Sequence, residues 1–177
     1  MGELGSTERR SVGRGSVSAA LRRLRVIESG RVPVLMSITP GLPETDNFQH
    51  WSPWRPLVVE TARRVLQYAA GTLVMPMTVL VEEYWREISS GLAGHGIRVQ
   101  HFVLHADTPV LHDRIMTDEV MGPSRFRLAH LAPYEDAART WLHDDAEVID
   151  TTSVAPHRVA RQIADSVLNV GNDRSTY

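Results

Sequence analysis

Short apolar runs alternate with amphipathic helical segments along most of this chain, and that alternation constrains its fold more than any other feature. Leu57, Val58, Ala62, Val65, Leu66 and Ala69 recur at helical spacing and predict a helix over residues 56–70, with Gly71 as its stop. In "GTLVMPMT", the run from Leu73 to Met77 predicts a strand that ends on Thr78. A second helix starts at Glu82, with acidic residues in its first turn and Tyr84, Trp85, Ile88 and Leu92 on one face. "IRVQHFVLHA" (97–106) reads as a strand, and Asp107-Thr108-Pro109 starts a helix that runs to about Thr117. "MGPSRFRLAH" is a loop, "PYEDAARTWLH" a helix, and "AEVIDTT" (146–152) a strand ending on polar residues. Ser153 opens the last helix, over roughly 155–168. Nearly continuous apolar strands between helices mean buried parallel strands, so the expected class is α/β, a three-layer parallel sheet with helices on both faces. One domain is expected over residues 16–170, beginning with a short helix (16–24) and a short strand (25–28). Residues 1–15, almost without apolar side chains, read as a flexible arm, and 171–177 as a flexible tail.

Composition removes several functions. Hydrophobic content of 42% and charged content of 23% are globular values, and a net charge of −2 argues against a nucleic-acid binder. There is no Cys, hence no disulfide, thiol nucleophile or thiolate metal site. All 19 basic residues are Arg, which excludes lysine Schiff-base chemistry and the lysine of a standard phosphate loop. No apolar run is long enough to span a bilayer and the first residues lack a secretory core, so the expectation is a cytoplasmic protein with no transmembrane segment. His101 and His105 share a strand face, but four strand residues span roughly 13 Å. No histidine metal site is expected.

Three stretches carry a resemblance: "DNFQHWSPWRPLV", "TLVMPMTVLVEEYWREISSGLAGHGIRVQHFVLHADTPVLHDRI" and "EVIDTTSVAPHRVARQI". Together they resemble the tunicamycin-resistance protein family, a branch of P-loop nucleotide-binding proteins similar to small-molecule kinases. The most specific pieces are Asp46–Gln49 with Trp54-Arg55, and Val74–Thr78 followed by Glu83-Tyr84. The resemblance implies a five-stranded parallel sheet of the nucleoside-monophosphate-kinase type. It also implies ATP and Mg2+ as cofactors, and a pocket for a small molecule such as a nucleoside-type antibiotic. Members begin with a strand that runs into G-x-x-x-x-G-K-[ST], and this chain has no such motif. The nearest segment, "SVGRGSVSAAL", would put Gly13 at the last loop glycine, Arg14 in the lysine's place and Gly15 where a hydroxyl should hold magnesium. It reads equally as part of the arm. The expectation is therefore a lost or misread N-terminal strand, with residues 1–12 outside the sheet and nucleotide binding impaired in this copy.

The resemblance also assigns roles. Arg114 follows a strand, where such kinases stack a planar guanidinium on adenine; it also reads as a solvated helix residue. Thr151 and Thr152 follow the last strand, at a turn that contacts the base in related kinases, and Thr152 or Ser153 equally suits helix capping. Arg125 and Arg127 lie in a lid-like loop and would neutralise transferring phosphate, at most one of them facing it. Glu28 is a catalytic carboxylate candidate or a surface residue. Asp46, Gln49, Trp54, Arg55 and Thr78 are the substrate-binding candidates, suited to a sugar- or uracil-bearing ligand. Two alternatives stay open there: Trp54 as a packing anchor with Arg55 as its ion-pair partner, and Thr78 as a cap. Whether the intact relative transfers phosphate or sequesters the drug is also open, as is a non-catalytic binding module or an inactive product.

Overall fold

The computed structural model describes residues 24–26, 41–45 and 47–172. The expectations for residues 1–15, for Gly13, Arg14, Glu28 and Asp46, and for residues 173–177 lie outside them. The elements, in chain order, are β1 (Leu24–Val26), a 3-10 turn (Phe48–His50), α1 (Trp54–Ala69), β2 (Thr72–Val74), α2 (Glu82–Gly94) and β3 (Phe102–His105). Then come α3 (Thr108–Met116), α4 (Arg125–Ala129), α5 (Leu131–Ala137), a π-turn (Ala138–Leu142), β4 (Glu147–Asp150) and α6 (Pro156–Asn172). The fold is mixed α/β with small parallel sheets. Among the described residues the strands form two parallel pairs, β1 with β2 and β3 with β4, and not the single sheet that the alternation implies.

The chain divides into two compact units: residues up to Thr78 with Ser90–Ile97, and Val79–Ser89 with residues from Arg98 onward. In the first, β1 and β2 run in register from Leu24 opposite Thr72 to Val26 opposite Val74. The predicted strand over 73–77 is shorter than expected, ending at Val74. Pro76 has no N–H to give a ladder, so pairing cannot continue through it. Thr78 is therefore not at a strand terminus. Trp54, Val58, Val59 and Ala62 form the buried stripe of α1, and Leu92 is buried from α2. A Cβ on Gly91 would stand 3.0 Å from Val59 Cγ2, so glycine permits the close approach of α2 to α1. α2 ends with Gly96 at φ +70°, where Gly96 N donates to Ala93 O and Ile97 N to Leu92 O.

In the second unit β3 and β4 pair over four positions, Phe102 opposite Glu147 to His105 opposite Asp150. The strand expected over 97–106 is thus confined to its carboxyl-terminal half, because β4 offers only four partners. Val103 and Ile149 point into a core completed by Val79, Trp85, Ile88, Ala137, Trp141, Leu142 and Val159. The segment read as a loop around Arg125 contains the short helix α4, capped by Ser124 Oγ, which accepts from Arg127 N. The helix read over "PYEDAARTWLH" changes to π geometry at Ala138.

One polar staple holds this unit. The Asp145 carboxylate accepts from Trp85 Nε1, lies 3.1 Å from His101 Nδ1 and 3.2 Å from Arg86 Nη1, and the Trp85 and His101 rings stack with centroids 4.0 Å apart. Asp145→Ala is expected to lose about 1–2 kcal/mol, since it strands the indole N–H of a buried tryptophan. Chemical denaturation of the variant checks this. An unchanged midpoint and slope would make the cluster decorative.

Candidate functional site

In the first unit, three of the substrate-binding candidates come together. Asn47 Oδ1 accepts from Gln49 N at 3.0 Å and starts the 3-10 turn that places Gln49. Gln49 Nε2 then donates to Thr78 O at 2.5 Å, and Arg55 Nη1 donates to Gln49 O at 2.8 Å. Gln49 and Arg55 are both buried. Trp54 is 1% exposed and meets Phe48 edge-to-face at 5.2 Å, so no ligand can stack on it without unpacking α1. The aromatic ring nearer to solvent is Trp51, whose Nε1 donates to Pro43 O at 2.9 Å. Of the two alternatives for Trp54, the packing anchor is the one that agrees with its burial.

In the second unit, two candidates that the sequence flagged separately are joined. Arg114, on α3, donates through Nη1 to Thr151 Oγ1 at 3.1 Å and through Nη2 to Thr151 O at 2.5 Å and Thr152 O at 3.4 Å. Thr151 is buried, and its hydroxyl donates in turn to His105 O at 2.8 Å. Thr152 N donates to Asp150 Oδ1 at 2.8 Å. The Thr152 backbone and side-chain hydrogen bonds hold the Asp150 carboxyl below its usual range, with smaller help from His105 and Arg114 against burial. This assembly occupies the carboxyl ends of β3 and β4, where ligands of parallel sheets bind.

The two arginines expected in a lid-like loop, Arg125 and Arg127, diverge. Arg127 donates to Asp118 Oδ2 at 2.7 Å and to Gly122 O at 2.5 Å, closing the turn that leads into α4. Asp118 also accepts from Val120 N and Met121 N, and these bonds with Arg127 bring its carboxyl to about 2. Arg125 is exposed on the same short helix, and residues two apart on a helix do not face the same way. Among the described residues no group of three or more His, Asp or Glu could hold a metal ion.

Sequence reasoning missed one cluster. A cleft of about 600 Å³ beside the end of β3 is lined by His105, Tyr134 and His143, with Thr108, Glu135 and Arg139 around them. Only His105, the last residue of a strand, carried a signal of position. Tyr134 joins it from α5, and His143 follows a π-turn that no periodicity reveals.

The solved structure of the Deinococcus radiodurans tunicamycin resistance protein matches this fold with a TM-score of 0.66 and 25% sequence identity, over 86% of this chain and 89% of that one. This chain is a structural relative of the tunicamycin-resistance proteins. The resemblance carried by the sequence motifs thus extends to the fold. The sequence matches no family model and no curated protein. In this tunicamycin-resistance relative, no helix among the described residues is long and apolar enough to cross a membrane.

Proposed function

We propose that this chain is a nucleotide-binding-type protein of the tunicamycin-resistance kind that holds a nucleoside-type small molecule through its base and does not transfer phosphate. The observation that carries this reading is Arg114 tied to Thr151 and Thr152. Those bonds engage the edge of the guanidinium and orient its plane, so that a ring can lie on its face. The base end of ATP fits these residues. The triphosphate end fits less well: the chain has no Lys, and Arg127 is engaged by Asp118 and Gly122. The neighbour's name supports tunicamycin, or a molecule of its chemistry, as the ligand.

Thermal melts separate holding from phosphotransfer. A ligand at about 100 times its dissociation constant stabilises the fold by roughly 2.7 kcal/mol, which for a domain of this size is roughly 5–10 °C. Adenosine and tunicamycin are expected to raise the melting temperature, and ATP with magnesium no further than adenosine does. A markedly larger rise with ATP and magnesium would mean that the chain cradles phosphate, and the reading would fall.

A further inference from the structure

The side chains of His105, Tyr134 and His143 play no part in the reading above, yet they meet in the cleft beside β3. His105 ends β3, Tyr134 lies on α5, and His143 follows the π-turn directly. His105 Nδ1 shares a hydrogen bond of 2.7 Å with the Tyr134 hydroxyl. The rings of His105 and His143 meet edge-to-face, with centroids 5.0 Å apart and planes at 86°. His143 Nε2 is buried and makes no hydrogen bond to any described residue. A buried polar atom left without a partner calls for a physical reason. π-turns are rare and concentrate where a fold does work.

We infer that His143 is a pH-operated latch that closes the π-turn against the His105 ring: while the His143 imidazole is neutral the segment 138–145 stays closed, and a proton on it opens the segment. A protonated His143 would bury an N–H bearing positive charge with no acceptor, against a second imidazole at contact distance. The segment can relieve this by letting Nε2 reach water. Trp141 and Leu142 hold it shut by burial, and Asp144 N and Asp145 N donate to Trp141 O. The Asp145 contacts with Trp85, Arg86 and His101 anchor the far end of the segment and also oppose opening, which stays local because those partners lie outside it.

The charged surroundings agree with the sign. Burial and then His105 lower the affinity of His143 for its proton, and Asp144 opposes them. Asp107 and Glu135 also line the cleft, where Glu135 accepts from the Thr108 hydroxyl, and Arg139 pairs with Asp136 at its rim. The Asp150 carboxylate, which interacts with His105, stays ionised well below neutral pH. Burial pushes the Tyr134 hydroxyl upward, so it remains neutral across the range that matters. A histidine bound less tightly to its proton in the closed form stabilises that form above its ordinary value of 6.5, and the contribution fades as pH falls below it.

Hydrogen exchange by mass spectrometry on the full chain, at about pH 7.5 and about pH 5 and corrected for intrinsic rates, tests the latch. The expected result is loss of protection over 138–145 at the lower pH, while residues 156–168 keep theirs. His143→Gln is expected to remove the pH response. Equal protection of 138–145 at both pH values, parallel loss in 156–168, or a pH response that survives in His143→Gln would each overturn the proposal. Should that variant fail to fold, an NMR titration of the His143 ring in the parent decides: a midpoint below 6.5 supports the latch and one at or above it sinks it.

Discussion

Arg55→Ala is expected to lower stability by about 3 kcal/mol, a fall of roughly 6–12 °C in melting temperature for a chain this long. Arg55 is 9% exposed in the first turn of α1 and donates to the carbonyl of Gln49 at 2.8 Å. Removing the guanidinium strands a carbonyl in a buried turn and takes away the packed stem of the side chain. The same turn holds Thr78 through Gln49 Nε2, so the loss extends to the segment after β2. Read from sequence, Arg55 is expected to bind ligand rather than hold the fold, and a ligand group would melt close to the parent when removed. A shift within about 2–4 °C would restore the ligand reading, because surface substitutions stay near that scale.

Arg114→Ala is expected to abolish the thermal shift produced by adenosine or tunicamycin, with a smaller effect on the unliganded protein. The side chain is the surface proposed to lie against the base, and no other residue supplies its fork of donors to the turn at Thr151. Three hydrogen bonds go with it, the nearest at 2.5 Å, so some loss of stability follows, about 1–2 kcal/mol because charged donors leave partly solvated acceptors. Arg114→Lys separates the two roles. Lysine keeps the charge but cannot present a planar face or a bidentate fork, so binding should stay lost. Full binding in Arg114→Lys would show that charge alone, and not the guanidinium plane, recognises the ligand.

Local pattern determined much of this protein. The helix over residues 56–70 was legible because its apolar positions repeat every three or four residues, and the observed element runs from Trp54 to Ala69. The helix starting at Glu82 was legible for the same reason; α3 was legible from Asp107 and from Pro109 in its first turn, although Asp107 makes no side-chain cap hydrogen bond. Arg114 and the turn at Thr151 were both singled out, each on its own stretch of chain. Their union was not, because the partners lie 37 residues apart and meet only through the register of β3 on β4. Strand lengths escaped for a related reason: an apolar run fixes which residues are suited to a strand, but a ladder extends only as far as its neighbour pairs with it. The resemblance placed Arg127 in a lid, and only folding showed that Asp118 and Gly122 accept from its two Nη groups. The π-turn at Ala138 left no trace in a pattern with a period of 3.6, and it leads directly into His143, which meets His105. Residue type and spacing therefore determined the longer helices and excluded thiol and lysine chemistry, while the pairing of elements distant in the chain decided strand lengths and which side chains act together.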